Sequence, residues 1–348
     1  MTTWPTVSVV VPCYRYGRFL PECVGSILAQ EGVDVRVLII DDASPDDSAD
    51  VARRLAAEDP RVEVRVHERN AGHIATYNEG LLEWADGDYC VLISADDQLT
   101  PGSLARATAV LEQHPNVGFV YAHAIDWNDS TPRPAPRQRQ TGVTVWSGRD
   151  WFSTVCRRGY CVVSGPTVVV RTSVHRQVGG YLPELPHTAD FELWLRLAAH
   201  ADVAFLKGVD QAIYRIHGSQ MTVERVPLVD LQQRKEALDA VFDKHGHRVP
   251  DAARLRRTAD RKLAKEALWR ACRAYERRGM ETVPVDALYA FARDTYPGFE
   301  RVPEYWGLRW RRRVGPQAAP YLQPLIWSAI HRKAANMLAW RRLNREGI

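Results

Sequence analysis

No run of about eighteen apolar residues occurs in this 348-residue chain, so no segment reads as a membrane-spanning helix. The opening Met1-Thr2-Thr3-Trp4-Pro5 lacks a basic stretch ahead of an apolar one, and no signal peptide is expected. None of the six cysteines (Cys13, Cys23, Cys90, Cys156, Cys161, Cys272) forms a CxxC pair. Three lie in or beside apolar stretches, as small core residues do, so a reducing cytoplasm fits better than a disulfide framework. The turn after the first apolar run, Pro12-Cys13-Tyr14-Arg15-Tyr16-Gly17-Arg18, has a single glycine, and no Walker sequence appears. Neither a dinucleotide fingerprint nor a phosphate loop is therefore available. A net charge of +4 is too small to suggest nucleic acid as a partner, and no internal repeat is found.

What is present is an alternation. Residues 7–11, 35–40, 62–66, 89–94 and 117–122 read as strands, and residues 19–30, 45–58, 75–85 and 102–113 as helices. Leu20, Val24, Ile27 and Leu28 make one helical face, and Ser44-Pro45 reads as the cap and first position of the second helix. Near-continuous apolar strands between helices imply a mostly parallel sheet covered on both faces. Residues 128–142 are polar and proline-rich and read as a mobile loop. Phe191, Trp194, Leu195 and Ala198 mark a helix near 190–200, with Glu192 and Arg196 spaced to pair. Beyond about residue 226 the chain reads as nearly all helix, most clearly at Leu255, Ala259, Leu263 and Ala267.

Two acid pairs carry the chemistry. Asp41-Asp42 closes the second strand and Asp96-Asp97 the fourth, so both should face the crevice at the carboxyl ends of the strands. Adjacent carboxylates repel and are costly to desolvate. Either water solvates them in a turn, or a cation holds them. Mg²⁺ and Mn²⁺ take one or two carboxylates with substrate phosphates filling the remaining positions, and the two pairs are expected to share one such ion.

The fragments VSVVVPCYRYGRFLPECVGSILAQ, VLIIDDASPDDS, NAGHIATYNEGL, GDYCVLISADDQLTPGSL, TADFELWLRLA and YRIHGSQMT occur in an order and spacing that resembles family 2 glycosyltransferases, over about residues 5–222. The resemblance implies an α/β GT-A fold, a Rossmann-like and mostly parallel sheet flanked by helices, to which the residue pattern adds a mainly helical C-terminal region. It implies a catalytic domain at 1–225, with a nucleotide-sugar half at about 1–125 and an acceptor half at about 143–225, while the basic helical region at 226–348 lies outside the resemblance and is read from the residues alone. The implied reaction is an inverting transfer of a sugar from a nucleoside-diphosphate sugar, UDP foremost and dTDP next, to the hydroxyl of a carbohydrate, glycolipid or natural-product acceptor, with Mg²⁺ or Mn²⁺. Matched position by position, Asp42 meets the nucleobase and Pro12 and Tyr14 lie under it. Asp96 meets the ribose, Asp97 and His217 serve the metal, and Asp190 is the catalytic base. Apart from these matches, Asn70 either contacts the nucleotide or only shapes its loop, and His73 either reaches a phosphate or is simply exposed.

Two positions depart from the family pattern. Ser94 stands where a third aspartate often begins the acid motif, and Ala189 where a glutamate often precedes the base. A nucleotide-sugar-binding module without turnover therefore stays open as an alternative. From Arg301 onward the chain has ten Arg or Lys against two Glu, interleaved with Trp306, Trp310, Trp327 and Trp340. This pattern suits packing with snorkelled arginine stems, a homodimer contact, or a peripheral contact with the inner face of a membrane, as in a membrane-recruited scaffold.

Overall fold

The computed structural model describes residues 3–218, 220, 227–277, 282–319, 321, 337 and 341–348. The chain divides into two compact units, one of Met1–Trp151, Val162–Gln220 and Gly347, the other of Phe152–Cys161, Met221–Glu346 and Ile348. Residues 152–161 thus group with the second unit.

In chain order the first unit runs β1 (Thr6–Cys13), α1 (Leu20–Leu28), β2 (Asp34–Asp41), α2 (Ser48–Glu58), β3 (Val62–Val66), α3 (His73–Asn78), β4 (Tyr89–Leu92), β5 (Gln98–Leu99), α4 (Ser103–Gln113), β6 (Val117–Trp127) and β7 (Gly142–Trp146). Helix α5 (Gly148–Arg158) crosses into the second unit. Then follow β8 (Val169–Arg171), α6 (Thr172–Val178), α7 (Ala189–Ala198) and β9 (Asp202–Arg215). The strands form one sheet in the order β3-β2-β1-β4-β8-β6-β9-β5, with β7 also on β9. Strands β3, β2, β1 and β4 are parallel, as their apolar runs predict: Val9, Val10 and Val11 of β1 and Val37 to Ile40 of β2 are buried on both faces. The other half is mixed. β8 runs antiparallel to β4 and β6, and β5 and β7 run antiparallel to β9, while β6 and β9 are parallel. Strand direction is not written in apolar periodicity, and an antiparallel neighbour such as β8 leaves the same apolar record as a parallel one.

Three local differences bear on the site. Helix α2 starts at Ser48 rather than Pro45, because Ala43 turns left-handed (φ 54°) and Ser44 bonds elsewhere: its N–H donates to Asp41 Oδ2 (3.0 Å) and its hydroxyl accepts from Arg15 N–H (3.0 Å). Helix α3 passes into a π-helical turn at Glu79–Trp84, where Gly80 lies against β1 so closely that a Cβ would stand 2.3 Å from Val10 Cγ1. The proline-rich stretch expected to be mobile is strapped down. Arg137 N–H and guanidinium both reach the buried Asp210 (2.8 and 2.5 Å), Arg133 bonds Gln98, and Thr141 N–H donates to Lys207 O (2.9 Å).

The second unit contains α8 (Pro227–His245), α9 (Ala252–Glu276), α10 (Val285–Thr295) and α11 (Pro303–Val314). Leu255, Ala259, Leu263 and Ala267 form a buried stripe on α9. Arg234 joins Asp230 and Glu266 (both 2.9 Å), and the buried Arg311 pairs with Glu276 (2.6 Å). Trp306, by contrast, is 58% exposed. Trp327, Ile330, His331, Arg332, Lys333, Leu338 and Trp340 lie outside the described residues. Among the described residues no helix is long and apolar enough to cross a membrane, and all six cysteines are free thiols.

Candidate active site

Strands β2 and β4 flank β1, which brings their carboxyl ends to one edge. At the end of β2, the buried Asp42 receives three protein donors. Ala71 N–H (2.7 Å) and the His67 ring (Nδ1, 2.7 Å) meet Oδ1, and Gly72 N–H (2.9 Å) meets Oδ2. A carboxylate has about four acceptor positions, so one remains on Oδ2. Both polar groups of the Asn70 side chain are used by the protein, Nδ2 donating to Asp42 O at the end of β2 (3.1 Å) and Oδ1 accepting from Gly72 N–H (3.1 Å). His67 also meets Glu79 through Nε2 (2.8 Å). Burial alone would lower its pKa, but the bonds to Asp42 and Glu79 outweigh burial and hold it above the ordinary 6.5. Both partners are acceptors when ionised, so the doubly protonated ring is the form that satisfies them. Arg65 completes this line of charges at Glu79 (2.9 Å).

Pro12, paired with Ile40 in the ladder, lies beyond the last β1–β4 pair and owes no N–H to that neighbour. Tyr14 follows it, 41% exposed, with Arg15 over its ring at 5.3 Å.

At the end of β4 the chain turns, and Asp97 N–H closes on Ser94 O (3.0 Å). Asp96 and Asp97 are both buried. Asp96 Oδ2 meets His217 Nε2 (3.0 Å), and that ring packs against Tyr16 and Phe19 with centroids at 5.3 and 5.2 Å. Asp97 Oδ1 accepts from Arg215 N–H (3.0 Å), while no described residue donates to Oδ2. Burial pushes the pKa of Asp96 up, with His217 opposing the shift. Burial and then the neighbouring Asp96 charge push that of Asp97 well up. These are hard oxygen donors that the protein leaves short of positive charge, which a divalent cation arriving with phosphate oxygens would supply. Among the described residues no three His, Cys, Asp or Glu side chains gather as a ready cage. The protein's own amides and His67 take three acceptor positions of Asp42, whereas Asp97 Oδ2 receives no bond from a described residue.

Asp190 stands exposed in the first turn of α7, where a negative charge suits the helix dipole. Buried Phe191, Leu193, Trp194, Leu195 and Leu197 anchor the helix. The buried ion pair of Glu192 with Arg196 (2.7 Å) extends to the carbonyls of Val178 and Gly180 (both 2.6 Å). Tyr181 hydrogen-bonds Asp190, and its ring lies 5.4 Å from that of Tyr77. Burial and then the charges of Asp190 and Asp96 hold the Tyr77 hydroxyl protonated, with Asp97 contributing as well. Asn78 fixes this wall by exchanging two hydrogen bonds with the Tyr181 backbone (2.8 and 2.7 Å). His73 donates through Nε2 to Pro186 O (2.9 Å).

The geometry thus gathers Asp96, Asp97 and His217, relates Asp190 to them through Tyr77, and gives Asn70 and His73 loop-holding bonds. His67, Arg215, Tyr77 and Tyr181 have no counterpart in the sequence reading. Arg215 sits two residues before His217 in YRIHGSQMT, and that neighbourhood was the available signal.

Residues 8–162 match the family model "Glycosyl transferase family 2". This part of the chain belongs to that family. The chain is 30% identical over 152 residues to an uncharacterised glycosyltransferase of Nostoc sp., covering 42% of this chain and 47% of the relative. It is 28% identical over 223 residues to an uncharacterised protein of Mycobacterium tuberculosis, covering 58% and 65%. The chain therefore spans about half to two thirds of these relatives' length. The crystal structure of Staphylococcus aureus TarS residues 1–349 with UDP-GlcNAc superposes with a TM-score of 0.61, at 14% identity, over 88% of this chain and 92% of that one. The fold is GT-A.

Proposed function

We propose that the chain transfers a sugar, with inversion, from a nucleoside-diphosphate sugar to an acceptor hydroxyl, using a UDP-sugar before a dTDP-sugar. The observation that carries the reading is the Tyr77 hydroxyl, whose pKa burial and then the charges of Asp190 and Asp96, with Asp97 as well, push up. A donor-side acid pair and an acceptor-side carboxylate are thus within electrostatic reach of one phenol. TarS, a structural neighbour, has been solved with UDP-GlcNAc and with UDP, and the uridine preference is carried over from there.

In this reading the open position on Asp42 Oδ2 accepts a ring N–H of the base, over Pro12 and Tyr14, and Asp96 takes the ribose. Asp97, with His217 beside Asp96, would hold Mg²⁺ or Mn²⁺, which when bound neutralises charge on the departing diphosphate. Asp190 takes the acceptor hydroxyl proton, a contribution of about 10²–10⁴-fold. Tyr181 orients that carboxylate by donating to it.

Ser94 and Ala189 favour a second reading, a module that binds nucleotide-sugar without consuming it. Donor consumption with Mn²⁺ and with EDTA separates them: the enzyme releases UDP only when metal is present, the module never does. A thermal-shift panel of nucleoside diphosphates and nucleotide sugars identifies the donor, since stabilisation grows with ligand concentration over its dissociation constant. Absence of stabilisation by every nucleotide refutes both readings.

A further inference from the structure

Arg215 ends β9 and is buried, yet it bonds three other chain segments. Its backbone N–H donates to Asp97 Oδ1 (3.0 Å) and its Nε–H to the main-chain oxygen of Asp96 (3.1 Å). One terminal nitrogen reaches both oxygens of Asp129 (2.8 and 3.1 Å), in the strap that follows β6. The other reaches Glu22 Oε2 on α1 (2.5 Å). The guanidinium lies between two rings, 4.7 Å from the centroid of Phe19 and 4.6 Å from that of Trp127. Ile216 N–H adds a bond to Trp127 O (2.7 Å).

Resting on the donor-site reading above, we propose that Arg215 is a positioning residue that couples the strap after β6 to the acid pair, so that nucleotide binding and strap docking reinforce each other. Its two acidic partners are about half exposed, with side chains at 53% for Glu22 and 50% for Asp129. Pairing there does not require burial of either acid. The buried ends of the arrangement are the Asp96 carbonyl and Asp97 Oδ1. Movement of Asp129 is transmitted through one rigid planar group to the backbone that carries both carboxylates. A lysine has neither the five-donor fork nor the flat face that fits between Phe19 and Trp127.

The test uses the full chain, UDP and Mn²⁺. Arg215→Lys should weaken UDP–Mn²⁺ binding about tenfold, through loss of a charge-assisted bond, and raise the donor KM while changing kcat much less. Asp129→Asn, at a half-exposed position, carries the test if the arginine variant does not fold. It should weaken UDP binding about threefold and speed tryptic cleavage at Arg137 and Arg139, each followed by glutamine. In the wild type, UDP–Mn²⁺ should slow that cleavage, and in Asp129→Asn the protection should be lost. A purely structural arginine would lower stability without linking protection of the strap to UDP. Wild-type UDP affinity in both variants, or strap cleavage indifferent to UDP in the wild type, overturns the coupling. A wild type that binds no nucleoside diphosphate refutes the donor reading instead.

Discussion

Replacing Asp42 with asparagine tests the anchoring of the nucleotide loop and has a pH signature. The carboxylate accepts from Ala71 N–H, Gly72 N–H and the His67 ring within 2.9 Å. An amide nitrogen must face at least one of these donors. The less damaging rotamer opposes Gly72 alone and forfeits one charge-assisted bond in a buried place, a loss of about 1.5–3 kcal/mol. The pairing of His67 with a carboxylate is lost as well. That histidine's pKa is raised in the folded state, so its stabilisation is fully present below the ordinary 6.5 and disappears as pH rises through the raised value. Urea unfolding of wild type and variant should therefore show a larger difference at about pH 6 than at about pH 9, with the amide loss remaining at the higher pH. A difference independent of pH, or one below about 0.5 kcal/mol, would refute the assigned bonds.

Asp190→Asn should bind UDP–Mn²⁺ as the wild type does and lose about 10²–10⁴-fold in sugar transfer, read by donor consumption with acceptor; retained transfer would move the base elsewhere. Glu192→Ala strands the buried Arg196 and should destabilise the protein by about 3–5 kcal/mol in urea unfolding. Gly80→Ala drives a Cβ into Val10 and should lower stability by about 1–3 kcal/mol, whereas an unchanged Tm would mean the π-helical turn yields freely.

The parallel half of the sheet was legible because β1 and β2 are buried on both faces and leave an unbroken apolar record. The stripe on α9 was legible for a similar reason: one face of a long helix repeats. The direction of strand β8 depends on partners at Tyr89 and Phe119, far away in sequence. The strap looked mobile by composition because its anchors, Asp210 and Arg215, lie on β9. Among the candidate site residues, the acids were readable as strand-end pairs. The division of labour between Asp42 and Asp97 was not, because it rests on backbone amides of Ala71, Gly72 and Arg215 and on a histidine at the end of β3. Such donors carry no residue-type signal.

The central claim is that the acid pair after β4 takes a divalent cation together with a diphosphate. Calorimetric titration of UDP into wild type and Asp97→Asn, each with Mn²⁺ and with EDTA, tests it most directly. The account predicts tight binding only for wild type with Mn²⁺, and weak, metal-indifferent binding for the variant. Equal, metal-dependent binding by both proteins would contradict it.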